Sequence, residues 1–114
     1  MTSPTDIAVA IDPAAFQAAA GQASRLLRAL SNEKRLMILC RLGEEEVPVS
    51  ALVQASGLSQ SALSQHRALL REEGLVATRR EGQSIFYRIH DPAALQVIAT
   101  LAAIYCPPEL LKGS

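Results

Sequence analysis

The stretch from Ala93 to Cys106 reads AALQVIATLAAIYC, with no charge and only Gln96 and Thr100 markedly polar. Asp91 can cap it and Pro92 suits its first turn, so the run is predicted to be a helix. A helix that is apolar nearly all round must be covered nearly all round. In a domain of 114 residues, one helix near the end of the sequence rarely finds cover on every side. A second copy related by a two-fold axis supplies that cover, and such dimers are the commonest oligomers. The alternative is a central core helix within a monomer. A membrane span is excluded, because the uncharged run from Pro92 to Pro108 has prolines at both ends and is too short. Met1 to Asp12 carries no Lys or Arg and so lacks the basic start of a signal peptide. The expectation is a soluble, cytoplasmic, helix-rich protein.

An apolar fraction of 49% can bury a core, which excludes disorder of the whole. With no Trp, two Phe and two Tyr, that core is expected to be built mostly from Leu, Ile, Val and Ala. Two cysteines are too few for a disulfide-stapled scaffold. Lys and Arg (11) balance Asp and Glu (11) overall, but the total hides an uneven distribution along the chain. Residues 25–42 carry five basic side chains (Arg25, Arg28, Lys34, Arg35, Arg41) against Glu33 alone. Residues 43–58 carry only Glu44, Glu45 and Glu46, and residues 59–90 carry Arg67, Arg71, Arg79, Arg80 and Arg88 against three Glu. A polyanion responds to the local field and not to the sum.

Along the chain, residues 1–12 read as a flexible tail, 13–108 as one domain and 109–114 as a second tail. Phe16, Ala20, Ala23, Leu27 and Leu30 recur at helical spacing after Pro13. Ser31 is the expected N-cap of a second helix running to Leu42, with Leu36, Leu39 and Cys40 on its apolar face and Gly43 ending it. Ser50 is the expected cap of a short helix. The turn Ser56-Gly57-Leu58 follows, and then a longer helix opens at Ser59 or Gln60 and runs to Glu73. Two helices joined by a tight Gly-containing turn make a helix-turn-helix. Leu75 to Arg80 and Ser84 to His90, separated by Glu81-Gly82-Gln83, read as a hairpin. The fold class is therefore mainly α with a small β-hairpin, a winged helix-turn-helix.

On the wheel of the longer helix, Leu63, His66 and Leu70 face the body, with His66 read as a buried hydrogen-bonding residue. Ser61, Ser64, Gln65 and Ala68 fall opposite, flanked by Gln60 and Arg67. Ser and Gln reach base edges, Gln most naturally adenine, and Ala68 permits close approach to a thymine methyl. Arg79 and Arg80 near the hairpin tip can grip phosphates or a minor groove. With Ser59 and Gln83, these complete the expected set of DNA-contacting residues: Ser59, Gln60, Ser61, Ser64, Gln65, Arg67, Arg79, Arg80 and Gln83.

The stretches LLRALSNEKRLMILCRL (26–42), LVQASGLSQSALSQHRALLREEGLV (52–76) and TRREGQSIFYRI (78–89) resemble the ArsR/SmtB family of dimeric winged-helix repressors. The resemblance covers residues 24–106. It implies a homodimer through the first and last helices, with the Ser59–Glu73 helix in the major groove of operator DNA. It also implies release of the operator when an inducer is captured.

The metal-sensing patterns of that family are missing. The segment EEEVPVSAL has no Cys-x-Cys, and the last helix has no His, so no metal site and no cofactor is expected. What remains, Cys40 on the second helix and Cys106 at the end of the last, resembles the persulfide- and thiol-oxidation-sensing branch (the BigR, SqrR and HlyU type). That resemblance implies that a polysulfide or disulfide bridge between Cys40 and Cys106, formed by a persulfide, polysulfide or oxidant, respaces the reading helices. It implies control of genes that detoxify sulfide and persulfide. Alternatives stand beside it: a regulator of another inducer (a metal or small ligand) with structural cysteines, or a small thiol enzyme. The absence of Cys-x-x-Cys, a Gly-rich phosphate loop and a placed histidine base argues against catalysis.

Overall fold

The computed structural model describes residues 10–106. The parts of the two expected tails and of the domain boundary that fall in residues 1–9 and 107–114 lie outside the described residues. Five helices and three strands follow in the order α1 (Pro13–Leu30), α2 (Glu33–Leu42), β1 (Val47–Pro48), α3 (Val49–Ser56), α4 (Gln60–Glu72), β2 (Val76–Glu81), β3 (Ser84–Ile89) and α5 (Pro92–Tyr105).

Caps account for most of these boundaries. The Asp12 and Asp91 carboxylates accept from the Ala14 and Ala93 N–H groups at 3.1 and 2.9 Å, each ahead of a proline in the first turn. Asn32, and not the expected Ser31, caps α2: its Oδ1 accepts from Lys34 and Arg35 N–H at 2.9 and 3.1 Å. Ser31 instead ends α1, where its N–H donates to the Arg28 carbonyl. Arg35 completes this corner by donating from Nε to the Ala29 carbonyl at 2.6 Å and from Nη2 to the Arg28 carbonyl at 3.2 Å. One side chain thereby satisfies two of the carbonyls that the end of a helix leaves open.

Ser50 does not cap α3. That helix begins at Val49 with no side-chain cap bond, because its entry is set by the sheet. Val47 and Pro48 pair antiparallel with Tyr87 and Phe86, a third strand absent from the sequence reading. The order is β1-β3-β2, so β3 is central, held by Val47 on one side and Thr78 on the other at Tyr87. The β2–β3 hairpin turns at Gly82, whose φ of 62° favours glycine.

The core is the space that α2 shares with α3, α4, α5 and β3. Leu39, Leu42, Leu52, Leu63, Leu70 and Val47 are fully buried in it, and Ala94 and Ile98 anchor α5. Burying a Leu side chain contributes about 1.5–3 kcal/mol, so α4 is held to the body chiefly by Leu63 and Leu70. Cys40 is exposed, not part of the apolar face. The buried stripe of α2 is Ile38, Leu39 and Leu42, and at 100° per residue Cys40 lies on the far side of it.

Candidate nucleic-acid interface and cysteines

The turn into α4 is built locally. Gly57 adopts φ 68° at the end of α3, and the Ser56 hydroxyl donates to the Val53 carbonyl and accepts from Leu58 N–H, both at 3.1 Å. The Ser59 hydroxyl accepts from Ala62 N–H at 3.2 Å and lies 3.5 Å from the Ser61 hydroxyl. Leu63 and Leu70 then lock the inner face of α4, which leaves Gln60, Ser61, Ser64, Gln65 and Ala68 exposed together. This is the polar surface predicted from the wheel. His66 departs from its expected role: it is half-buried, and among the described residues its imidazole makes no side-chain hydrogen bond.

The arginines divide. Strand period puts Thr78 and Arg80 on one face of β2 and Arg79 on the other. Arg80 is exposed and, among the described residues, has no acidic partner. Gln83 is exposed at the hairpin turn. Arg79 is already occupied. Its guanidinium reaches Glu46 at 2.7 Å and Glu81 at 2.6 Å, and it lies 4.7 Å from the ring centroid of Phe86, its cross-strand partner. The hydrogen bond from Arg79 holds the Glu46 carboxyl below its usual range. Arg67 also looks inward, with Nη1 donating to the Tyr87 hydroxyl at 3.1 Å.

Sequence reasoning therefore missed Glu46, Tyr87 and Phe86 as the wing's supports, having counted Glu46 only as part of a local negative charge. The signal was obtainable: pairing the hairpin about Gly82 places Arg79 opposite Phe86. At the other end of α4, Arg25 of α1 reaches Glu73 at 2.6 Å. Its hydrogen bond lowers the Glu73 carboxyl below the usual range.

The two cysteines are both free thiols. Cys40 lines a shallow cavity of about 240 Å³ between α2 and α3, with Met37, Leu52 and Ala55. Cys106 is half-buried at the end of α5, where its N–H donates to the Ala102 carbonyl at 2.8 Å. The helices that carry them, α2 and α5, pack against each other.

An exposed polar helix after a Gly turn, followed at once by a wing with a free cation, is the geometry of a duplex-reading head. Comparison with known proteins agrees. The sequence profile of the arsR family of bacterial regulatory proteins matches residues 32–78. The chain is 47% identical to the HTH-type transcriptional regulator YgaV of Escherichia coli K12, over 82% of this chain and 96% of that protein. The chain belongs to the arsR family. Among solved structures, this arsR-family regulator is similar to the transcriptional repressor BigR from Xylella fastidiosa, with a TM-score of 0.80 and 38% identity over 85% of this chain and 99% of that one. It is also similar to reduced HlyU from Vibrio cholerae, with a TM-score of 0.77 and 43% identity over 81% and 97% of the two chains. No helix among the described residues is long and apolar enough to cross a membrane.

Proposed function

We propose that this arsR-family regulator is a homodimeric repressor that holds operator DNA while Cys40 and Cys106 are reduced and releases it once they are bridged. In this reading α4 enters the major groove, with Ser59, Gln60, Ser61, Ser64 and Gln65 at base edges and nearby phosphates. Arg80 and Gln83 take the flanking backbone or minor groove. Dimerisation through α1 and α5 sets the two reading helices about one DNA turn apart. Sulfide and persulfide detoxification genes are the expected targets. The observation that carries the sensing half is the pair of free thiols on two helices that pack against each other, one of them α5.

The persulfide inducer is itself the two-electron oxidant. One thiolate takes a sulfane sulfur from a persulfide RSSH, releasing RSH and leaving a cysteine persulfide. The second thiolate attacks the inner sulfur of that persulfide, closing a disulfide and expelling sulfide. The two thiols supply the two electrons that reduce sulfane sulfur to sulfide. Each further sulfane sulfur captured before closure lengthens the bridge by one atom and relaxes the Cα separation of about 7 Å that a direct disulfide requires.

Mass spectrometry after persulfide treatment, run beside band-shift titration of the upstream DNA, tests this. The expected result is a linked pair of peptides carrying Cys40 and Cys106, together with loss of binding. Cys40→Ser and Cys106→Ser are expected to repress without responding. A persulfide response surviving in the double variant moves the sensor elsewhere.

A further inference from the structure

We infer that Arg67 is a positioning residue for the wing: it fixes the hairpin against the reading helix through Tyr87 instead of gripping DNA. This rests on the reading that α4 and the wing hold one duplex. Arg67 projects from the middle of α4, between the anchors Leu63 and Leu70. Its Nη1 donates to the Tyr87 hydroxyl at 3.1 Å, and the guanidinium carbon lies 5.3 Å from the Tyr87 ring centroid. Its Nε is buried with no hydrogen-bond partner.

A cation half out of water with one N–H unsatisfied is a poor choice for stability alone, since each buried unpaired donor is costly. An aliphatic side chain would pack at less cost. The guanidinium supplies geometry, because a planar group bonded to a hydroxyl and stacked on its ring fixes both distance and angle.

Tyr87 is the place where such a fix acts on the whole wing. It is 3% exposed, in the central strand, with Val47 and Thr78 as its neighbours on either side. Arg80 lies two residues beyond Thr78, on the same face of β2. Setting Tyr87 against Arg67 therefore sets where Arg80 stands relative to Ser64 and Gln65. A buried Tyr87 cannot touch DNA, so any effect of its hydroxyl on affinity passes through position.

The test uses the 114-residue chain and a duplex from the region upstream of its own gene. Tyr87→Phe keeps ring and core volume and removes only the hydroxyl. It is expected to weaken binding roughly tenfold, about 1.4 kcal/mol, and to erase hydroxyl-radical protection at the flanks while central protection stays. Arg67→Ala is expected to do the same, to add less than twofold in the Tyr87→Phe background, and not to be rescued by Arg67→Lys. Additive losses, or rescue by Lys with a salt slope lowered by about 0.9 in Arg67→Ala, identify a phosphate contact and overturn the inference. Without DNA, residual dipolar couplings of residues 78–88 are expected to change in Arg67→Lys. Unchanged couplings overturn the brace even if wild-type binding, and with it the duplex-reading premise, were to fail.

Discussion

Helices α4 and α5 are anchored alike and finished differently. Each buries two residues, Leu63 and Leu70 in α4 and Ala94 and Ile98 in α5. The outer side of α4 is Gln60, Ser61, Ser64, Gln65 and Ala68, which water satisfies. The outer side of α5 ends in Ile104 and Tyr105, 64% and 78% exposed, and α1 adds Phe16 and Leu27, 54% and 59% exposed. Equal anchoring with opposite outer chemistry separates what holds an element from what it awaits. A polar face can wait in water for a polyanion, whereas an apolar face of this size is a standing cost until another surface covers it. On the function proposed above, α5 and α1 are covered permanently by a second copy and α4 is covered reversibly by DNA.

The largest expected effect comes from spoiling the apolar side. Leu27→Glu with Ile104→Glu is expected to yield a folded monomer in sedimentation and to lower operator affinity at least 100-fold. Linked half-site binding raises avidity by about 10²–10⁴, and this is lost when the link is cut. A monomer that binds the operator at wild-type affinity breaks the comparison.

Changes on the polar side are expected to be smaller and of two kinds. Gln65→Ala removes a base-edge contact and is expected to reduce discrimination against a mismatched operator by about 1–3 kcal/mol, with dimerisation intact. Arg80→Ala is expected to weaken every duplex alike and to lower the slope of log affinity against log salt by about 0.9. Arg79→Ala, by contrast, frees Glu46 and Glu81 from their partner and is expected to leave that slope nearly unchanged. If Arg79 and Arg80 behave alike in a salt titration, the two faces of the hairpin do not divide as described.

The division between α4 and α5 was legible from residue pattern, because periodicity fixes which residues share a face. Helical spacing alone sets Leu63 and Leu70 against Ser61, Ser64 and Gln65. Long-range pairing was not legible. Cys40 looked like part of an apolar stripe because Leu36 and Leu39 are near it in sequence, yet the packing of α2 against α3, α4 and α5 chose Ile38, Leu39 and Leu42. Arg79 and Arg80 looked equivalent as neighbours, and only the register with Phe86 and the arrival of Glu46 from the loop before β1 set them apart. The β1 strand is two residues long and contains a proline, so no pattern of its own announced it.

The Arg25–Glu73 pair joins the two regions, since α1 belongs to the apolar side and Glu73 closes α4. The hydrogen bond from Arg25 lowers the Glu73 carboxyl, as that from Arg79 lowers Glu46. A carboxylate lowered on folding contributes stability that is fully present above its unfolded value, about 4.3, and is lost as pH falls through the lower folded value. The melting temperature is therefore expected to be insensitive to these pairs from pH 7 to 5 and to fall in more acid solution. The pairs are solvent-exposed, so the effect is small and shrinks further in high salt. Glu73→Gln is expected to flatten the acid limb of the melting curve slightly at low salt and not at all at 0.5 M salt, a concentration on the order of several times physiological ionic strength. Parallel acid limbs at low salt would mean that α1 and α4 are tied through the core alone, leaving α1 no polar strut to α4.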